Sequence, residues 1–405
     1  MTRSSSEAVA QKEIPDALIV GGGPAGAGLA LRLAQAGKAA TLVERESGPH
    51  HKVCGEFISG EAAAYLQGLG LDLEALGAVP IHKVRLAARG PAAEARLPFP
   101  AFSLSRRRLD DALLRLAADH GVDVRLGRKV RALAPRGDHW RAVIDGAADL
   151  HAHTAFLATG KHDLKGLRRP AGLHGDLVAF KMHWRLAPTQ AAALAEAVEL
   201  HLFPGGYAGL EPIEEGLANL CLVIGRGGLG GAAAWTGVLQ RLTGHCPVLA
   251  ERLRGAEPLW AKPLAITAIP YGHVGAPDDG LWRLGDQFAV IPSFAGDGMG
   301  IALHSAHAAA GAWLAGQDAR TFHAGLRADL GLRVKGSALL SRLLVQGWAQ
   351  PLAAGLTRAR PQLLSAAAAH TRIPARALER LTPAPARPGT AGYRPPSDRR
   401  SDCPA

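Results

Sequence analysis

The stretch that most constrains this chain is DALIVGGGPAGAGLALRLAQAGKAATLVERE, Asp16 to Glu46. The apolar run Ala17 to Val20 has the length and composition of a buried parallel strand. Gly21, Gly23 and Gly26 follow in G-x-G-x-x-G spacing. A helix is expected from Ala25 to Ala36, with Leu29 and Leu33 on one face and Gly37 as its stop. A second strand, Ala40 to Val43, ends at Glu44. In such a unit the first glycine permits the tight turn, the second lets backbone approach a pyrophosphate, and the third lets helix and strand pack closely. The helix N-terminus offers free N–H groups to phosphate, and an acid about 20 residues on accepts from a ribose. Strand, turn, helix, strand and acid fall in order, so the segment predicts a dinucleotide site containing Gly21, Gly23, Ala25, Gly26, Glu44 and Arg45.

At 405 residues the length prior is two or three domains. With 48% hydrophobic and 20% charged residues the composition is that of a globular protein. Cys54, Cys221, Cys246 and Cys403 show neither C-x-x-C nor metal-ligand spacing, so no metal site and no disulfide framework is expected. The N-terminus lacks an apolar core, and no apolar run reaches the roughly 18 residues of a membrane span. The expectation is a cytoplasmic protein, peripheral to a membrane at most. The net charge of +11 is unevenly placed. From Arg320 onward there are 14 basic and 4 acidic residues, leaving 32 against 31 in the rest. Few aromatics accompany the basic residues, which argues against nucleic acid; acidic partners or anionic lipid fit better, and the plainer reading is a solvated helical face with a disordered tail.

Along the chain, Cys54 and Gly55 sit in a Gly- and Pro-punctuated loop before Gly60. Glu61 to Leu76 reads as a helix, and Ile81 to Ala87 with Arg96 to Phe99 as a peripheral hairpin. Ser103 to His120 is an amphipathic helix with Ser105 as cap, and Arg106 near its start could reach phosphate. Short strands are expected at 123–126, 129–133, 141–144 and 150–153, then a returning parallel strand, Ala155 to Gly160. Its glycine end is where open α/β sheets bind ligands, with His162 close by. Strands at 178–185, 198–203 and 217–224 flank a glycine-rich turn, Pro204 to Pro212, whose Tyr207 is the candidate polar contact to substrate. Helices are expected at 232–242 and 247–254. A further strand ends at Gly285-Asp286, and the GDGMG run, Gly296 to Gly300, opens a helix beyond Pro292. Helices at 320–335 and 337–350 follow, with Pro351 as a break. Leu340, Leu344 and Trp348 form a stripe that packs on the protein or touches a membrane.

Four motifs together carry a family resemblance. The G-x-G-x-x-G with Glu44, RRRLD at 106–110, LATG at 157–160 and LGD at 284–286 resemble the FAD-binding signatures of glutathione-reductase-type flavoproteins. The branch is that of geranylgeranyl reductases and p-hydroxybenzoate-hydroxylase-like monooxygenases. The resemblance implies FAD as cofactor and NAD(P)H as an electron donor to consider. It places Asp286 at the ribitol, Gly296, Gly298, Met299 and Gly300 at the flavin ring, and Arg106 and Gly160 beside the cofactor. The KVCGE loop is similar to the Cys-Gly loop of geranylgeranyl reductases, which sets Cys54 and Gly55 over the isoalloxazine. The chain departs from aromatic hydroxylases after LATG, where KHDLKGLRRP replaces their Asp-Gly motif. It departs from prenyl reductases at Gly209, where they carry tryptophan, and the W-x-W-x-I-P halogenase pattern is absent.

The resulting expectation is an α/β fold with a Rossmann-type FAD-binding domain (16–160 and 281–315). A β-rich substrate domain (161–280) is inserted in it, and C-terminal helices (316–382) follow. Disordered ends are expected at 1–15 and 383–405. The function is an FAD-dependent oxidoreductase acting on a lipophilic or polyketide-like molecule, by hydride transfer to a double bond or by oxygenation. Cys54 and Tyr207 are the candidate catalytic residues, and an acyl carrier protein or anionic membrane is a candidate partner. The alternative is a non-catalytic flavin-holding or electron-transfer protein.

Overall fold

A computed structural model describes residues 14–229, 235–276 and 279–381. Five strands make one parallel sheet: β1 (Ala17–Val20), β2 (Ala40–Val43), β6 (Asp123–Arg125), β10 (Thr154–Leu157) and β17 (Trp282–Arg283), in the order β17-β10-β1-β2-β6. All four residues of β1 and of β2 are buried, as a parallel sheet covered on both faces requires. Helices α1 (Pro24–Gln35), α2 (Gly60–Gly68) and α3 (Arg106–Asp119) belong to the same unit, and α7 (Gly298–Leu314) packs against α1 and α2. Val20 lies level with Leu157 on one side and Val43 on the other. That register brings Gly21, Ala158 and Glu44, each one residue further on, to one end of the sheet. Strands β7 (Val130–Arg136), β8 (His139–Ile144) and β9 (Leu150–Ala152) form a small antiparallel sheet packed on the parallel one.

The second sheet has nine strands. Three precede the parallel sheet's return: β3 (Phe57–Ile58), β4 (Val79–Ala87) and β5 (Ala93–Ser103). Six follow it: β11 (Leu177–Arg185), β12 (Ala197–Phe203), β13 (Gly206–Ile213), β14 (Leu217–Gly225), β15 (Glu257–Pro258) and β16 (Leu264–Thr267). The order is β15-β11-β14-β13-β12-β4-β5-β3, with β16 also on β11. One face is covered by α4 (Pro188–Leu194), α5 (Trp235–His245) and α6 (Pro247–Arg252) over an apolar cluster of Met182, Trp184, Leu210 and Leu220. The other face turns toward the glycine-rich end of the first sheet. Four helices complete the chain: α8 (Ala319–Leu344), α9 (Ala349–Ala359), α10 (Gln362–His370) and α11 (Ala375–Leu381).

Several local expectations need correction. The hairpin at 81–99 is not peripheral: β4 pairs in parallel with β12, Leu86 opposite Leu200, so it joins the substrate-side sheet. The glycine-rich segment at 204–212 is mostly strand. Only Gly205, at φ +86°, carries the turn, while a Cβ on Gly206 would lie 2.2 Å from the Val223 carbonyl oxygen. The helix expected to Leu76 stops at Gly68, where Gly70 at φ +98° reverses the chain. Pro351 breaks nothing. It sits in the first turn of α9, where a missing N–H costs no helical bond, and α8 runs through Gly336 without interruption. The expected helix at 232 begins outside the described residues, as does the expected disordered tail at 383–405, and the expected disordered N-terminus at 1–15 lies outside them up to residue 13.

Candidate functional site

Between the two sheets lies a cavity of about 460 Å³. Its walls hold Gly21, Gly23, Ala25, Glu44, Arg45, Cys54, Gly55, Arg106, Gly160, Asp286, Gly296, Gly298 and Met299, so the far-apart motifs meet in one place. Gly26 and Gly300 stand behind the wall and serve packing. A Cβ on Gly26 would fall 1.9 Å from the Gly21 oxygen, and one on Gly300 2.3 Å from Asp297 Oδ1.

The glycine-turn end is built for an anion. Helix α1 begins at Gly23 with no side-chain cap, leaving N–H groups directed at the cavity. The nearest groups to a Cβ on Gly23 are cationic, Arg106 Nη2 at 3.3 Å and Lys52 Nζ at 3.9 Å. Asp110 organises both: Arg106 donates to it at 2.8 and 2.9 Å, and Lys52 pairs with it at 2.9 Å. Burial would lower the pKa of Arg106, but Asp110 more than offsets that and holds it above the ordinary value. Burial likewise raises Asp110, and Arg106 with Lys52 brings it below its usual range. Glu44 accepts from Gly22 N–H at 2.7 Å and Glu46 N–H at 3.1 Å, tying the glycine turn to β2. Arg45 sits at the edge, 3.2 Å from His162, whose pKa is lowered by burial and then by Arg45.

Opposite, the turn after β17 presents Asp286. Gln287 donates to the carbonyls of Gly160 and His162 at 2.8 and 3.0 Å, and Arg169 donates to Asp286 O at 2.6 Å. These bonds fix the ends of β10 and β17 against each other. Gly296, at φ +67°, leads into α7, and its Cβ would meet Phe57 at 2.8 Å. Asp297 is buried at the start of α7, accepting from Ser59 at 3.1 Å with Arg372 at 3.4 Å. Burial raises its pKa to about 7, partly opposed by Arg372.

The Cys54–Gly55 loop is braced by residues that sequence reasoning missed. Asn219 of β14 donates to the carbonyls of Cys54 and Gly55 at 3.1 and 2.8 Å, and Lys161 Nζ to Val53 O at 2.6 Å. Glu56, at φ +66°, is wholly buried and caps the N-terminus of α3 by accepting from Arg106 N–H at 2.7 Å. Its carboxylate pairs with Lys181 and, at 2.8 Å, with His183. Burial works to raise Glu56, and Lys181 and His183 bring it below the usual carboxylate range. His51 lies beside His183, and burial followed by His183 pushes its pKa down to about 4. Ligand atoms of His51, Glu56 and His183 fall within 4.8 Å of one another. Lys181 and the α3 N-terminus already occupy one Glu56 oxygen, so the cluster is a protein ion pair more than a cation site. The signal was the alternation in VAFKMHW, which puts Lys181 and His183 on one face of a strand otherwise apolar.

Register extends that face. Cys221 is opposite Lys181 and Gly209, and Asn219 is opposite His183 and Glu211. Burial raises Glu211 well above its usual range, only partly opposed by Lys181 and the neighbouring Asn219. Tyr207 does not line the cavity. It is buried behind Ser293, 3.2 Å from that hydroxyl, because the Ser293–Phe294 turn covers β13 there. Tyr271 lines the cavity instead, with Ala179, Ile266, Val290 and Ile291 as an apolar wall.

Comparison with known proteins agrees with this geometry. Residues 15–155 match the family model described as an FAD binding domain. The menaquinone reductase of Mycolicibacterium smegmatis is 34% identical over 120 residues, 28% of this chain and 29% of that one. The menaquinone reductase of Mycobacterium tuberculosis is 27% identical over 222 residues, 51% of this chain and 54% of that one. The aligned segments thus span about half or less of these relatives. Among solved structures, a variant of halogenase PltM in complex with FAD superposes with a TM-score of 0.70 at 17% identity, over 89% of this chain and 84% of that one. The myxobacterial chondrochloren halogenase CndH gives 0.70 at 20%, over 89% and 91%. Residues 15–155 are therefore an FAD-binding domain, and the chain as a whole has the fold of FAD-dependent oxidoreductases.

Proposed function

We propose that this protein reduces a quinone or another activated double bond on a lipophilic molecule, using FAD. The observation that carries the proposal is a cavity with two unlike ends. Lys52, Arg106 and the uncapped N-terminus of α1 line one, and Ala179, Ile266, Tyr271, Val290 and Ile291 line the other. The names of the two mycobacterial relatives support a quinone as substrate class, and the KVCGE loop supports the geranylgeranyl-reductase-like branch. Where prenyl reductases carry a tryptophan, Gly209 leaves open space beside Cys221, with only the Cys221 oxygen, at 3.9 Å, near a Cβ. That favours a broad ring over a thin chain at this point.

FAD, when bound, supplies the two-electron chemistry. The residues that would hold it are already grouped. The backbone at Gly21–Ala25, with Lys52 and Arg106, would hold the diphosphate, Glu44 the adenosine ribose and Asp286 the ribitol, and Gly296, Gly298 and Met299 would back the ring. The braced Cys54–Gly55 loop fixes how closely substrate approaches, and the apolar wall excludes water from it. His51, held neutral at the cavity margin, can accept or pass on a proton there.

The test is anaerobic stopped-flow. The FAD-loaded protein is reduced with NADH, NADPH or dithionite, then mixed with a water-soluble naphthoquinone, and separately with air. Reoxidation by the quinone at least about tenfold faster than by air supports reduction. Faster reaction with air, with oxygen incorporated into an aromatic substrate, would replace it with oxygenation. Inertness to both would favour a flavin-holding role.

A further inference from the structure

We infer that α8 and α9 dock this protein on an anionic bilayer surface. Of the thirteen large apolar side chains exposed among the described residues, eight fall between Leu332 and Leu363. Single exposed leucines are ordinary, but contiguous ones mark an interaction surface. On α8, Leu332, Leu339 and Leu343 are 85%, 55% and 49% exposed, and their spacing of seven and four places them on one stripe. Trp348, 64% exposed, stands in the corner between the helices, and Leu352 and Leu356 continue along α9 one helical turn apart. The opposite sides of both helices are already satisfied, with Val334, Ala338, Leu344 and Ala354 buried in the protein. The outward leucines therefore add nothing to the fold.

Charge selects the occupant. Residues 330–378 include no Asp or Glu, and five of their seven Lys/Arg are exposed, Lys335, Arg342, Arg358, Arg360 and Arg376. Exposed Lys335 and Arg342 flank the stripe, and long cationic side chains can lay their stems along apolar surface while keeping the charge in water. Leucine, tryptophan at the margin and flanking cations are the composition of a helix lying in an anionic interface. A second copy would set Lys335 and Arg342 against like charges. Residues 382–405 contain no Leu, Ile, Val, Met, Phe or Trp with which to fill the stripe. The inner side of these helices shares one apolar cluster with Tyr271, Val290 and Ala179 of the cavity wall, so the docked face backs directly onto the proposed substrate end. The inference rests on the helices and not on the redox reading.

Vesicle flotation of the FAD-loaded protein decides it, using phosphatidylcholine alone and phosphatidylcholine mixed with phosphatidylglycerol. Binding is expected to the mixed vesicles, weakening with salt. Leu339→Gln with Leu343→Gln should lower partitioning by roughly tenfold or more. Lys335→Gln with Arg342→Gln should lower it by about thirtyfold. Bound FAD and turnover of a water-soluble quinone should be unchanged in both. Absence of flotation, or flotation by both variants equal to that of the parent, overturns the inference. So does a self-association, or capture of an acidic carrier protein, that the leucine variant abolishes while flotation persists. Flotation measures mass alone, so a protein that floats but reduces no quinone defeats the proposed function and leaves this inference standing.

Discussion

Gly23 and Gly26 belong to one motif but face different neighbours, and their alanine variants should part accordingly. The Gly26 position meets backbone at 1.9 Å, which cannot yield. Gly26→Ala should lose about 3 kcal/mol or more in denaturant unfolding. The Gly23 position meets only the ends of two flexible cations, so Gly23→Ala should fold within about 0.5 kcal/mol of the parent. Its FAD Kd should rise by roughly tenfold or more, because the methyl would stand where the proposed site receives the diphosphate. Equal effects on folding would remove the distinction between packing and binding glycines. Glu56 presents another residue-scale case. Glu56→Gln strands a buried Lys181 and should cost about 3 kcal/mol, part of which Lys181→Met in the same chain should restore. Strictly additive losses would mean that the two groups do not interact. The glycines and Glu44 were legible in sequence because their roles are local and their spacing fixed. Glu56, Lys181, His183 and Asn219 were not, because their partners lie more than 100 residues away and only strand register unites them.

Among the elements, α7 illustrates how a helix start acquires a titration. Its first residues, Gly298 and Met299, face the cavity, while Asp297 just before them is sealed between Ser59 and Arg372. The folded pKa of about 7 lies above the ordinary 3.8, so the folded form retains a proton that the unfolded chain releases. That contribution is complete below pH 3.8 and is lost as pH rises toward 7. Relative to Asp297→Asn, the parent should therefore lose up to about 4 kcal/mol across that window, measured as the difference between two unfolding curves. A difference independent of pH would show that Arg372 keeps the carboxylate ionised throughout. Helices α1 and α3 were legible from caps and apolar spacing: Ser105 does accept from Arg108 N–H, at 3.3 Å. The segment around Tyr207 was misread because its glycines suggest a turn, whereas close packing on Val223 requires Gly206 within a strand.

At the scale of the molecule, the Rossmann-type half was visible in the sequence and the interleaving of the two sheets was not. Nothing local announces that β4 will meet β12, because a parallel pairing across more than 100 residues leaves no periodic trace. A fragment ending at residue 160 would carry the whole FAD-binding match yet leave β4 and β5 with an uncovered edge. We expect it to sediment as aggregate on expression, whereas the full chain stays in the supernatant; a dispersed, FAD-binding fragment would show that the halves fold independently. The same pairing limits how substrate preference can be exchanged between related enzymes. A recombinant that transplants only residues 161–280 would graft six of the nine strands onto a foreign edge, and shuffling that ignores β3 to β5 should yield chimaeras that fail at folding before selectivity can be assayed.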